Sequence, residues 1–95
     1  MDLEAIQKLS LEEKKNILER TIKLQEETGE LAEQVLIAQQ SSGSQYKTST
    51  KEAIKEEAAD VILVALSIFF LEGGTPQELD RVIDAKAAKW RKFKK

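Results

Sequence analysis

Apolar residues along this chain recur at helical spacing, and no segment alternates as a strand would. Ile17, Leu24, Leu31, Val35 and Ala38 fall on one line with Thr21 and Thr28. That line predicts one long helix from about Leu11 to about Gln40, roughly 45 Å at the rise of an α-helix. Ser10-Leu-Glu-Glu13 reads as a capping box at its start, where a hydroxyl and a carboxylate satisfy free amides. Ahead of it, Asp2–Leu9 fits a short helix of its own. Ser41–Thr50 has six Ser/Thr and a glycine in ten residues and carries no apolar period, which marks a loop. A further helix is expected over Lys51–Leu71, stopping at Gly73-Gly74, where a left-handed C-cap costs glycine little. Thr75-Pro-Gln-Glu78 then combines a cap with proline in the first turn. The helix it opens has Leu79, Val82, Ile83, Trp90 and Phe93 as its stripe. The fold class is all-α: three main helices and a short N-terminal one, in a single domain spanning residues 1–95.

Ala58–Leu71 is apolar nearly all the way round, interrupted by Asp60 and Ser67. Its fourteen residues are too few for the ~20 needed to cross a bilayer. A helix apolar on every side needs neighbours on every side, more than three main helices provide, so a homo-oligomer is expected, a dimer or a tetramer built from dimers. A chain of 95 residues has a small core, which favours the same solution.

With no cysteine and no histidine, thiolate and imidazole chemistry are excluded, and any metal must be held by oxygen. The first residues lack the basic start and apolar run of a signal peptide, so a cytoplasmic protein is expected. The net charge of −2 hides a gradient: no acid follows Asp84, whereas Lys86, Lys89, Arg91, Lys92, Lys94 and Lys95 do. Such cations complement the negative end of a helix dipole. Only Trp90 and Phe93 interleave them, both at core spacing, and the chain is acidic overall, so a nucleic-acid partner is not expected.

The acids of two helices carry the chemistry. Glu27 lies about 60° off the Leu24–Leu31 line and Glu30 a further ~60° round, on the shoulder of the stripe. On the next helix Glu57 and Asp60 share a face with Val61, Val64, Ile68 and Leu71. Asp60, between two alanines and Val-Ile-Leu-Val, is expected to be buried, where an unpaired carboxylate is costly. Antiparallel packing would bring the four acids together, and four such groups cannot all stay ionised without cations. No lysine is expected between them on the same faces, so hard divalent cations are the better fit, Mg²⁺ above all. Gly29, inside a helix, suggests close approach by a neighbour or ligand.

Glu26-Glu27-Thr28-Gly29-Glu30, followed by Glu57-Ala58-Ala59-Asp60, resembles the E-E-x-x-E…E-x-x-D signature of the MazG-like all-α nucleoside triphosphate pyrophosphohydrolases. The resemblance implies Mg²⁺, with Mn²⁺ as a substitute, on Glu27, Glu30, Glu57 and Asp60. It also implies cleavage of the α–β bond of a nucleoside triphosphate to monophosphate and pyrophosphate, in the service of nucleotide house-cleaning. Lys86 and Lys89 match the basic residues that meet the phosphates in that family. With no histidine to act as general base, Glu26 and Glu56, each adjoining a presumed ligand but pointing about 100° away, are the candidates. The phosphoribosyl-ATP pyrophosphohydrolases resemble this pattern too but commonly carry a histidine that this chain lacks. A helical interaction module with the acids as solvated surface is the non-enzymatic alternative.

Overall fold

The computed structural model describes residues 1–39 and 50–94. Four helices follow one another: α1 (Leu3–Glu12), α2 (Ile17–Ala38), α3 (Lys51–Leu71) and α4 (Pro76–Phe93). There is no strand among the described residues, and the all-α class holds. No single described helix is long and apolar enough to cross a membrane.

The expected short and long helices are both present, but the break between them lies after Glu12 rather than at Ser10, and the long helix starts at Ile17. Asp2 caps α1 by accepting from the Ala5 amide, and the helix runs on through Ser10 to Glu12. Ser10 caps nothing. It is buried inside α1, and its hydroxyl donates to the Ile6 carbonyl at 2.6 Å. The capping box belongs instead to Asn16 and Glu19: the Asn16 side chain accepts from the Glu19 amide, and Glu19 accepts from the Asn16 amide. The expected loop falls on residues 41–49, outside the described residues. Thr50 caps α3 through the Ala53 amide, and Thr75 caps α4 through the Glu78 amide.

α3 is the centre of the packing, with α2 along one side and α1 along another, while α4 approaches α1 and no other helix. Phe70 is the most buried large side chain, with Leu66 and Ile37 the other buried apolar residues. Phe69 meets Phe70 edge to face at 5.7 Å. Its ring also closes the turn after α3: Gly73 takes φ +90°, and a Cβ on Gly74 would collide with the Phe69 ring. The glycine pair is thus required, one residue for conformation and the other for space.

The stripe expected on α2 is not the face it buries. Ile17, Thr21, Thr28, Val35 and Ala38 are exposed, and Leu24 and Leu31 half-buried. The line that α2 buries is Arg20, Lys23, Leu24, Glu27, Leu31, Gln34 and Ile37, with Arg20, Glu27 and Ile37 buried and the others half-buried. Arg20 accounts for much of this. Its Nε donates to the Lys15 carbonyl at 2.8 Å, Nη1 to the Ser67 carbonyl at 3.0 Å, and Nη2 to the Ser10 and Glu13 carbonyls, both at 2.9 Å. One guanidinium therefore caps the C-terminal end of α1, fastens the link to α2 and fixes α2 against α3. Replacing Arg20 by Met should cost on the order of 3–5 kcal/mol, since buried carbonyls lose charged donors. Arg20→Lys, able to keep some of the bonds, should lie between. Urea unfolding midpoints of the three proteins measure this.

Candidate metal centre

α2 and α3 run antiparallel, and the bond from Arg20 to Ser67 sets their register. Seven residues on along α2 and seven back along α3, about two turns on each helix, Glu27 faces Asp60. Glu57, Asp60 and Glu27 each offer a carboxylate oxygen within 4.8 Å of the others. Glu27 is buried, Glu57 half-buried and Asp60 exposed. The expectation that Asp60 is shut away from water is corrected. Ala58 is half-buried and Ala59 exposed beside it, and Ile62 and Leu63, the next turn on, are also open.

Glu27 Oε2 and Glu57 Oε2 are buried and have no hydrogen-bond partner. An uncompensated carboxylate oxygen costs the full desolvation of a charged group. Oxygen-only donors converging on one point suit a hard divalent cation, which would satisfy both orphans at once. Glu30 stands beside the trio. It is exposed, yet its carboxyl is raised above its ordinary value, first by the charge of Glu27, then by desolvation, Glu57 and Glu26.

The expectation that no lysine reaches these acids is also corrected. Lys23 Nζ lies 3.0 Å from Glu27 Oε1 and 3.3 Å from Glu26 Oε1. Hydrogen bonding to Glu27, then to Glu26, holds its ammonium above the usual value. The i, i+4 and i, i+3 spacing is legible in the sequence, but Lys23 lies off the apolar stripe, on the face that α2 buries. Glu26 and Glu56 are exposed. Lys86 and Lys89 are exposed on α4, which does not approach α2 or α3, so one chain does not bring them to the acids. At Gly29 an added Cβ would meet nothing within 4 Å, so no described residue makes the close approach expected there.

The MazG nucleotide pyrophosphohydrolase domain matches residues 14–95. The chain belongs to that family. No curated protein and no solved structure matches it. MazG enzymes depend on a divalent metal, and the acidic trio lies inside the matched region. Helix α1 precedes the matched residues, yet in this MazG chain it helps to wall a groove of about 300 Å³ next to the trio. Ile6, Leu9 and Ser10 of α1 face Arg20, Leu63 and Val64 across it.

The raised carboxyl of Glu30 has a checkable consequence. The folded state binds that proton more tightly than the unfolded one, so this group's contribution to stability falls as pH rises from 4.5 through the raised value. Glu30→Gln in chelator should therefore gain on the parent at pH 7 and lose that gain near pH 4.5. Thermal melts of the two proteins across that range measure it. Mg²⁺ should reduce the difference by screening the acids.

Proposed function

We propose that this protein is a Mg²⁺-dependent pyrophosphohydrolase that cleaves the α–β bond of a nucleoside or deoxynucleoside triphosphate, yielding the monophosphate and pyrophosphate. The observation that carries the reading is the trio Glu27, Glu57 and Asp60, with two buried orphan oxygens, inside a MazG domain. Glu27, Glu57 and Asp60 would hold the cation, with Glu30 as a fourth carboxylate at its edge, and Mn²⁺ would serve in its place. Bound there, the cation supplies neutralising charge and Lewis acidity toward a phosphoryl oxygen. It is needed because a triphosphate brings about four negative charges to a site already acidic.

The chain's own groups do the remaining work. Glu26 and Glu56, exposed and adjoining Glu27 and Glu57, would take the proton of the attacking water. The groove between α1, α2 and α3 begins one turn from the trio, at Lys23, Leu63 and Val64, and its volume suits the nucleoside end of the substrate. Residues 1–95 act as one domain in this reading, with α1 as part of the substrate site.

A homo-oligomer, at least a dimer, completes the arrangement. Ile62 is 52% exposed, Trp90 77% and Phe93 69%, so apolar surface on α3 and α4 is left uncovered among the described residues. The Cα radius of gyration of 16.0 Å exceeds the roughly 12 Å expected of a compact chain this long. In a symmetric pair, α4 of one copy would lie against another, and Lys86 and Lys89 would reach the partner's phosphate site.

Incubation with each common NTP and dNTP in Mg²⁺ should release pyrophosphate and monophosphate. Release of orthophosphate, or full activity in excess chelator, would overturn the reading, and indifference to metal would favour the interaction module. Asp60→Asn should lower turnover by at least about two orders of magnitude with the fold intact, because a ligand charge is lost at unchanged volume. Sedimentation at micromolar concentration should give a dimer or a multiple of it, and Trp90→Ala with Phe93→Ala should shift it toward monomer. An active monomer would remove both the assembly and the shared site.

A further inference from the structure

Lys23 occupies the seam between the carboxylate trio and the groove. Its ammonium is bonded to Glu27 and Glu26, while its side chain also lines the groove with Arg20 and Val64. Glu27 is 7% exposed, and its second oxygen is one of the two buried orphans, so the group Lys23 holds is itself a candidate ligand. The two roles of Glu27 compete. An oxygen that binds a divalent cation is a poorer partner for an ammonium, because the two cations repel. Lys23 is able to leave: its side chain is 42% exposed, and four rotatable bonds let one ammonium serve either side of its own Cα. Two other cations line the groove: Arg20, which is committed to four carbonyls and is fixed, and Lys15, which is exposed in the link between α1 and α2.

We propose that Lys23 is an exchangeable counter-ion, holding Glu27 while the trio lacks a divalent cation and turning to a substrate phosphate at the mouth of the groove once that cation is bound. This rests on the metal-dependent phosphate chemistry proposed above and adds a substrate-binding residue to it. It also gives the order of events a physical basis. Until a cation arrives, Lys23 neutralises part of the acidic charge and holds Glu27 in place. Afterwards the same positive charge, no longer needed there, offsets the phosphate charge nearest the nucleoside.

The test uses the full chain, with ¹⁵N-lysine labelling and Lys23→Arg to assign the Lys23 ammonium signal. That signal should be observable in chelator, shift or broaden when Mg²⁺ alone is added, and shift again with inorganic pyrophosphate present. In calorimetry, Lys23→Met should bind Mn²⁺ about tenfold more tightly and Mg²⁺-pyrophosphate about tenfold more weakly. Lys23→Arg should restore most of the pyrophosphate affinity, which loss of a structural contact would not explain. If Mg²⁺ leaves the ammonium signal unchanged, or Lys23→Met tightens metal and leaves pyrophosphate binding as it was, the exchange is overturned. Neither readout needs turnover. Failure of the nucleotide reading would appear separately, as absence of pyrophosphate release by the unaltered protein.

Discussion

The buried guanidinium of Arg20 is the constraint from which the rest of the arrangement follows. A charge removed from water needs strong compensation, and here it comes from four backbone carbonyls. Two of them, Ser10 and Glu13, lie at the C-terminal end of α1, where the helix leaves carbonyls unpaired and the macrodipole is negative. α1 has no basic residue in its own last turn, and Arg20 supplies that charge from α2. The fourth bond, to Ser67, fixes the α2–α3 register, and with it the meeting of Glu27 with Glu57 and Asp60 two turns away. A slip of one turn would separate the acids.

The carboxylates work against this packing. Two buried oxygens lack partners, and Glu30 carries the repulsion of three neighbouring acids in its raised carboxyl. Lys23 returns only part of what is lost, since it reaches one oxygen of Glu27 and is itself half-exposed. A sequence selected for stability alone would place apolar residues on this face. Local conflict of this kind, held in place by a well-satisfied arginine nearby, is what the proposed site for a cation and a polyanion would require.

Much of this was legible in the sequence. The helix starts at Thr50 and Thr75 and the stop at Gly73-Gly74 follow from local chemistry, and so does the pairing of the two acidic motifs. The position of the break between α1 and α2 was not, because no glycine or proline marks it and both Ser10-x-x-Glu13 and Asn16-x-x-Glu19 satisfy the capping pattern. A tertiary contact decides between them: Arg20 draws the Ser10, Glu13 and Lys15 carbonyls toward itself, and the Ser10 hydroxyl turns inward to Ile6. The inner face of α2 was missed for the same reason. Apolar periodicity identifies a core made of hydrocarbon, whereas this helix buries an arginine and a glutamate and exposes Ile17 and Val35.

Asp60 shows where the argument from apolar neighbours stops. Apolar flanking residues imply burial only if one chain supplies the whole core. In this chain Ile62 and Leu63 are themselves about half exposed, so apolar sequence around Asp60 describes a surface that a single copy does not cover. An aspartate at the edge of such a surface would lose water when the surface is covered, a cost that a cation meeting its carboxylate would offset. Burial of α3 and binding of a cation would then favour one another, since each lowers the cost of the other. In the proposed assembly the long apolar run and the acid inside it would not be in conflict: the run would be covered by a neighbour, and the acid would meet a cation at the same interface.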